Sequence, residues 1–318
     1  MIRLGTGDDD LDRAAALLRG GELVAIPTET VYGLAADAAN AGAIQRLFAA
    51  KGRPADHPLI VHLPDIDSLN TWVAEIPATA RQLAQAFWPG PLTLILPRTR
   101  GVADMITGGQ DTVGVRVPGH PIALRLLGRF GRAVVAPSAN RFGRISPTSA
   151  DHVVAEFSDG DAVAAVVDGG PCPVGVESTI VDCSTARPRI LRPGMIGIEQ
   201  ISRVLGMSPR VADPLEGPRA SGRLASHYAP ETRIELVDAV VLSRADSGAA
   251  VLALDSTTDP GEFRAWRSLP SDPAAYARGL YASLRALDAV GAERILVQRP
   301  PDGPGWAAVH DRLQRAAA

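Results

Sequence analysis

The sequence predicts an α/β protein in two units, and three features predict it. Between 11 and 205, apolar runs of strand length alternate with segments whose apolar residues recur at helical spacing, the pattern of a sheet flanked by helices. Between 207 and 230 this periodicity stops, in a stretch that holds Pro209, Pro214, Pro218 and Pro230 among Gly217, Ser221, Gly222 and Ser226. From 233 the alternation resumes over a shorter length. The expected division is a larger unit at 1–206, a linker at 207–232 and a small C-terminal, Rossmann-like α/β unit at 233–318.

Each element has its own signal. Residues 11–19 carry Ala14, Ala15, Leu17 and Leu18 on a helix, and ELVAIP at 22–27 is a buried strand. Ile44, Leu47 and Phe48 make 41–50 helical, and LIVHL at 59–63 is a short strand. The helix at 78–87 must end before Pro89-Gly90-Pro91. Strands follow at 92–96 and 113–117. In the second, Val113, Val115 and Val117 face one way while Thr112, Gly114 and Arg116 face the other. A helix at 121–130 starts on a proline, 133–136 is a strand, and 148–157 is a helix with Ser146 or Thr148 as its cap. Strands at 162–167 and 178–181 and a helix at 197–205 complete the larger unit. The small unit has strands at 233–237, 249–254 and 294–298, with helices at 273–290 and 306–317.

Composition excludes several classes. The 318 residues include 32 Lys+Arg and 35 Asp+Glu, a net charge of −3, which opposes a general nucleic-acid coat that must neutralise many phosphates. With 46% hydrophobic and 21% charged residues, the chain has the composition of a globular protein. No apolar run reaches the ~18 residues that would suggest a membrane span. The first residues lack the basic-then-apolar order of a signal peptide, so a cytoplasmic protein with reduced Cys172 and Cys183 is expected. Lys51 is the only lysine, in a chain that otherwise uses arginine. Coding bias explains the arginines. A lysine that survives it is a candidate for work that needs a compact, mobile cation.

Five clusters carry polar groups next to predicted strands. The first is Pro27-Thr28-Glu29-Thr30-Val31-Tyr32-Gly33-Leu34, a polar loop at the carboxyl end of a buried strand, where ligands sit in α/β folds. In the second, Lys51 and Arg53 flank Gly52 ahead of His57 and His62, so two cations can reach one polyphosphate. In the third, Arg116 lies on an interior strand and needs a counter-anion, either an internal carboxylate or a substrate's. The fourth ends a strand in Ala136-Pro137-Ser138-Ala139-Asn140 and continues to Ser146. Arg125, Arg129, Arg132, Arg141 and Arg144 lie in this region without an acidic residue between them, either as a phosphate or RNA site or as a solvated face. The fifth is Gly175-Val176-Glu177-Ser178-Thr179, with Arg192 downstream. No P-loop, dinucleotide fingerprint, nucleophile elbow or CxxC pair is present. His57 and His62 are five apart, which is no helical ligand pair, so no protein metal site is expected.

Taken in order, PTETVYGL, KGR with HPLIVH, DTVGVRVPGH, APSAN and GVESTIVD resemble the YrdC-like family of threonylcarbamoyl-AMP synthases over about 11–205. The stretch ASGRLASHYAP at 220–230 resembles the linker of the family's long, two-domain form. The resemblance implies a twisted, open sheet flanked by helices around a deep positive cavity. It implies an enzyme that joins L-threonine, bicarbonate and ATP into threonylcarbamoyl-AMP with release of pyrophosphate, Mg²⁺ bridging the phosphates. By position, Thr30, His62, Arg116, Ala136 and Ser178 match the threonine site. Arg53, His57, Thr112, Ser138, Asn140, Ser146, Arg192 and Tyr228 match the ATP site, and Lys51 with Arg53 forms the signature assigned to catalysis. The product would pass to a complex that modifies tRNA, with at most a weak tRNA contact by this chain, which is expected to act as a monomer.

Two positions depart from the family pattern. His57 stands where asparagine is commoner, and Ser221-Gly222-Arg223 where Pro-Gly-Met is usual. The alternative reading is an RNA-binding module of the same fold, which an aromatic content of 4% disfavours, since stacking platforms need aromatics. A carbamoyl-transfer domain of hydrogenase maturation shares the fold but belongs to assemblies with zinc-finger cysteines, for which two cysteines leave no room. The Lys51→Arg variant is expected to keep charge and fold and to lose most activity. Parental activity in that variant would return the lone lysine to coding bias.

Overall fold

Ten strands of the larger unit and one of the linker form one mixed sheet, in a computed structural model that describes residues 1–160, 162–213, 216–242, 248–258, 261 and 263–318. Pro214 and Leu215 of the expected linker lie outside the described residues. In chain order the strands are β1 (Ile2–Leu4), β2 (Val24–Ile26), β3 (Gly33–Asp37), β4 (Ile60–His62), β5 (Leu92–Pro97), β6 (Thr112–Arg116), β7 (Val134–Val135), β8 (Ala165–Val167), β9 (Thr179–Asp182), β10 (Arg189–Arg192) and β11 (Arg210–Val211). They lie side by side as β1-β8-β2-β3-β7-β4-β6-β5-β9-β10-β11. The small unit has a second sheet, wholly parallel, of β12 (Ile234–Val237), β13 (Ala250–Leu254), β14 (Ala265–Leu269) and β15 (Ile295–Gln298), in the order β12-β15-β13-β14.

Burial explains why the central strands read as continuous apolar runs. Every residue of β2, β3 and β8 is buried, because helices cover the sheet. The helix Asp8–Arg19 packs Leu11, Ala14, Ala15 and Leu18 with Leu126, Leu127 and Phe130 of the helix Pro121–Phe130, over Val24 and Ile26. A second cluster joins Leu47, Leu83, Leu94, Val113 and Val115.

Two helices match the sequence reading at both ends, Ala78–Phe87 and Pro121–Phe130, each bounded by proline or glycine. Elsewhere the reading needs correction. Ser149, not Ser146 or Thr148, caps the helix Ala150–Glu156, accepting from His152 N. The polar cluster at 27–34 runs into strand β3 at Gly33, and the linker contributes β11, which pairs in parallel with β10.

Central registers position the candidate site. Strands β4 and β6 run parallel with His62 opposite Arg116, so both side chains arrive at the same carboxyl edge. Next to them, Leu34 N donates to Pro137 O at 2.7 Å and Ala139 N to Tyr32 O at 2.8 Å, which closes the first cluster onto the fourth.

The small unit is not a loose appendage. Val31, Ile145 and Val176 of the larger unit and Tyr228 of the linker share one apolar cluster with Tyr276, Ala277, Leu280, Tyr281 and Leu284 of the helix Pro273–Asp288. At Gly175 (φ +84°) the backbones meet so closely that a Cβ would lie 2.4 Å from Arg278 Cα, so the docking requires glycine there.

Candidate active site

Strand ends, the linker and the first polar loop line a cavity of about 40 Å³. Thr30, His62, Arg116, Ala136, Ser138, Ser178, Arg192 and Tyr228 of the predicted site line it, together with Thr28, Glu177, Ser221 and His227, which the prediction left unassigned. A second cavity of about 10 Å³ adjoins it, sharing Ile60 and Ser221 and lined by Thr112 and Gly114.

One side of the first cavity is ordered around Arg116. Its guanidinium is buried, with Nη2 2.5 Å from Glu29 Oε1, Nε donating to Gly90 O at 3.2 Å and Nη1 to Thr30 Oγ1 at 3.0 Å. The internal carboxylate foreseen for Arg116 is therefore Glu29, and Arg116 also lines the cavity. Thr28 Oγ1 donates its single proton to Val31 O at 2.6 Å, so Thr30 Oγ1, 2.8 Å away, donates to Thr28. These bonds fix the Thr30 oxygen. His62 lines the same wall. Its Nδ1 is 3.2 Å from the Ile60 carbonyl, to which only an N–H can bond, so Nε2 keeps the lone pair. Burial, with Arg116 nearby, pushes the imidazole down to about 3, so it is neutral.

The other side is built on Ser178, Glu177 and Arg192. Arg192 Nη2 donates to Ser178 O at 3.0 Å and Oγ at 3.1 Å, while Nη1 reaches Ser221 O of the linker at 2.9 Å. Ser178 Oγ is 2.8 Å from Thr93 Oγ1. Ser146 Oγ donates to Glu177 Oε1 at 2.5 Å. Tyr281 Oη and Arg312 Nε of the small unit donate to Oε2 at 2.9 and 2.8 Å. Burial alone would raise the Glu177 carboxyl, but Arg312 and Arg192, with the hydrogen bonds, hold it at about 2. Tyr228 has the left-handed φ of +64° and is buried beneath the Arg312 guanidinium, 5.2 Å from its ring centre.

The remaining predicted residues stand behind these walls. Lys51 does not line the cavity. Its Nζ donates to Ser138 O at 2.5 Å and also to Asn140 O, which ties the helix Ala41–Lys51 to the Ser138–Asn140 turn. Burial, then Arg53, lowers the ammonium well below its usual range. Arg53 donates to Pro58 O at 2.9 Å and sits 5.6 Å from the centre of the Phe142 ring, which His57 meets edge-on. Asn140 Nδ2 donates to Arg141 O and Arg144 O at 2.6 and 2.9 Å.

The arginine-rich segment supplies no open basic patch. Arg125 pairs with Asp8, Arg129 with Asp8 and Asp12, Arg132 with Asp37, Arg141 with Asp159 and Arg144 with Glu231. The acids come from elsewhere in the chain, so the local excess of positive charge seen in sequence is neutralised in the fold. Burial pushes the Cys172 and Cys183 thiols up to about 12, which leaves no thiolate nucleophile at these positions. Among the described residues no three His, Cys, Asp or Glu side chains cluster as metal ligands, and no helix is long and apolar enough to cross a membrane.

The fold is that of an α/β protein whose candidate site presents buried guanidinium groups, hydroxyls and a neutral imidazole. Residues 16–194 match the family model described as "Telomere recombination", and 196–318 match "Threonylcarbamoyl-AMP synthase, C-terminal domain". The threonylcarbamoyl-AMP synthase of Bacillus subtilis (strain 168) is 40% identical, covering 99% of this chain and 94% of that protein. That of Pyrococcus abyssi (strain GE5 / Orsay) is 39% identical over 96% of this chain and 93% of that one. The crystal structure of P. abyssi Sua5 complexed with L-threonine superposes with a TM-score of 0.91 at 36% identity, covering 99% and 97% of the two chains. The chain belongs to the threonylcarbamoyl-AMP synthase family, in its long two-domain YrdC-like form.

The Glu177 environment makes a prediction about acid stability. A carboxyl depressed from its usual 4.5 to about 2 contributes stability that is present above 4.5 and lost as pH falls through about 2. Thermal melts of the parent should fall more steeply than those of Glu177→Gln between pH 5 and pH 2. Parallel curves would contradict a carboxylate held down in the fold.

Proposed function

We propose that the two adjoining cavities make L-threonylcarbamoyl-AMP and pyrophosphate from L-threonine, bicarbonate or CO2, and ATP. The observation that carries this reading is the placement of Arg116 and neutral His62 opposite one another on parallel strands, with Thr30 held by Arg116. Arg116 offers N–H groups to the threonine carboxylate, while Glu29 offsets its charge from behind. Nε2 of His62 accepts a hydrogen bond from the amino acid. Thr30, Ala136 and Ser178 complete the threonine half.

The neutral threonine amine attacks the carbon of CO2 with loss of a proton, or that of bicarbonate with loss of water, and a carbamate oxygen then attacks the α-phosphorus of ATP as its bond to pyrophosphate breaks. Negative charge then grows on the phosphoryl oxygens and on departing pyrophosphate. Catalysis consists chiefly of positioning and cationic stabilisation, without a covalent nucleophile. Arg192 and Ser138 supply a cation and a hydroxyl to the nucleotide half, with Thr112 in the second cavity and Tyr228 at the linker, while Ser146 stands behind them on Glu177. Lys51 acts by holding the Ser138–Asn140 turn, a role in which its two carbonyl partners suit an ammonium better than a planar fork. Arg53, His57 and Asn140 support that turn and Phe142 beside it.

Mg²⁺ enters with ATP, on the phosphates. Glu29 and Glu177, the buried carboxylates of this region, are paired with arginines rather than held open for a metal. The product passes to a tRNA threonylcarbamoyl-transfer complex in the cytoplasm, and the chain acts as a monomer.

Threonine-dependent pyrophosphate release in bicarbonate buffer tests the reading. Arg116→Met should lower kcat/KM for threonine by about a hundredfold, the loss of a ~3 kcal/mol charged hydrogen-bonding contact. A loss below threefold would remove Arg116 from the threonine site.

A further inference from the structure

The linker and the small unit meet the cavity unevenly. Hydrogen bonds and ion pairs from Thr30, His62 and Arg116 to Thr28, Ile60, Gly90 and Glu29 all stay within the larger unit. The nucleotide half is different. Glu177 Oε1 holds Ser146, and Oε2 is held in turn by Arg312 and Tyr281 from two helices of the small unit, Ala307–Ala316 and Pro273–Asp288. The same two residues cover Tyr228, with Arg312 5.2 Å from the ring centre and Tyr281 stacked at 5.8 Å and 29°. Arg312 is itself fixed by Asp311 at 2.5 Å and is buried.

We propose that Arg312 and Tyr281 are positioning residues for the ATP half of the cavity, acting through Glu177 on Ser146 and directly on Tyr228, and that they leave the threonine half unaffected. The proposal rests on the synthase reading for its substrates. Neither residue touches the cavity. An unpaired Glu177 would have to become protonated or reorient, and either change turns Ser146 away from its present direction. Losing the cover over Tyr228 would free a ring whose left-handed backbone is sterically unfavourable and persists only under surrounding constraint.

The test separates two affinities in the full-length chain. Pyrophosphate release at saturating threonine and bicarbonate gives the KM for ATP, and calorimetry gives the affinity for threonine and, separately, for ATP. Arg312→Met should raise the KM for ATP tenfold or more and leave threonine affinity within twofold. Tyr281→Phe removes one hydroxyl and keeps the ring, so it serves where Arg312→Met does not fold; it should raise the KM for ATP about threefold. ATP affinity unchanged in Tyr281→Phe, or threonine affinity falling in step with it, overturns the proposal. A parent chain without threonine-dependent pyrophosphate release would instead sink the synthase reading, and the calorimetric ATP affinities would still decide the positioning role.

Discussion

A buried carboxylate with three hydrogen-bond donors, Glu177, joins the two units and shapes one side of the cavity. Ser146 donates from the larger unit, where Arg192 adds its nearby charge; Tyr281 and Arg312 donate from the smaller. A carboxylate taken out of water needs such compensation, since removing one partner of a buried pair costs ~3–5 kcal/mol. The apolar contact of Val31, Ile145 and Val176 with the helix Pro273–Asp288 joins the same two units. Domain docking and site geometry are therefore one arrangement, and Gly175 is where the backbones come close enough to allow it.

The opposite wall follows from sheet register. Parallel β4 and β6 end together, so His62 and Arg116 meet without any loop having to carry them. Glu29 makes a buried Arg116 tolerable, and Arg116 in turn orients Thr30. Lys51 lies outside the cavity, with its ammonium on the Ser138 and Asn140 carbonyls. The lone lysine is thus the clasp of a turn.

Much of this was legible in the sequence where the signal is local. Helices Ala78–Phe87 and Pro121–Phe130 are periodic and bounded by proline or glycine, so their ends are written in neighbouring residues. The wholly buried β3 was hidden, because GLAAD has neither alternation nor β-branched residues and follows a polar loop. Strand β11 was hidden because a two-residue strand has no period. Within the site, the hydroxyls and cations at strand ends could be read. Their partners could not, since Glu177 and Arg312 are 135 residues apart and Arg312 occupies an ordinary helical position. The same non-locality made the segment from Arg125 to Arg144 look basic, when Asp8, Asp12, Asp37, Asp159 and Glu231 neutralise it.

The most direct test of the central claim is the coupling energy between Glu177 and Arg312 in unfolding. Denaturant melts of the parent, Glu177→Gln, Arg312→Met and the double variant close a thermodynamic cycle. A buried pair that binds the small unit to the larger predicts coupling of about 2–3 kcal/mol, with the double variant far more stable than the sum of the single losses. Additive losses, within about 0.5 kcal/mol, would mean that the two side chains are neighbours without being partners, and that other contacts, among them the Arg285–Glu156 ion pair, join the units.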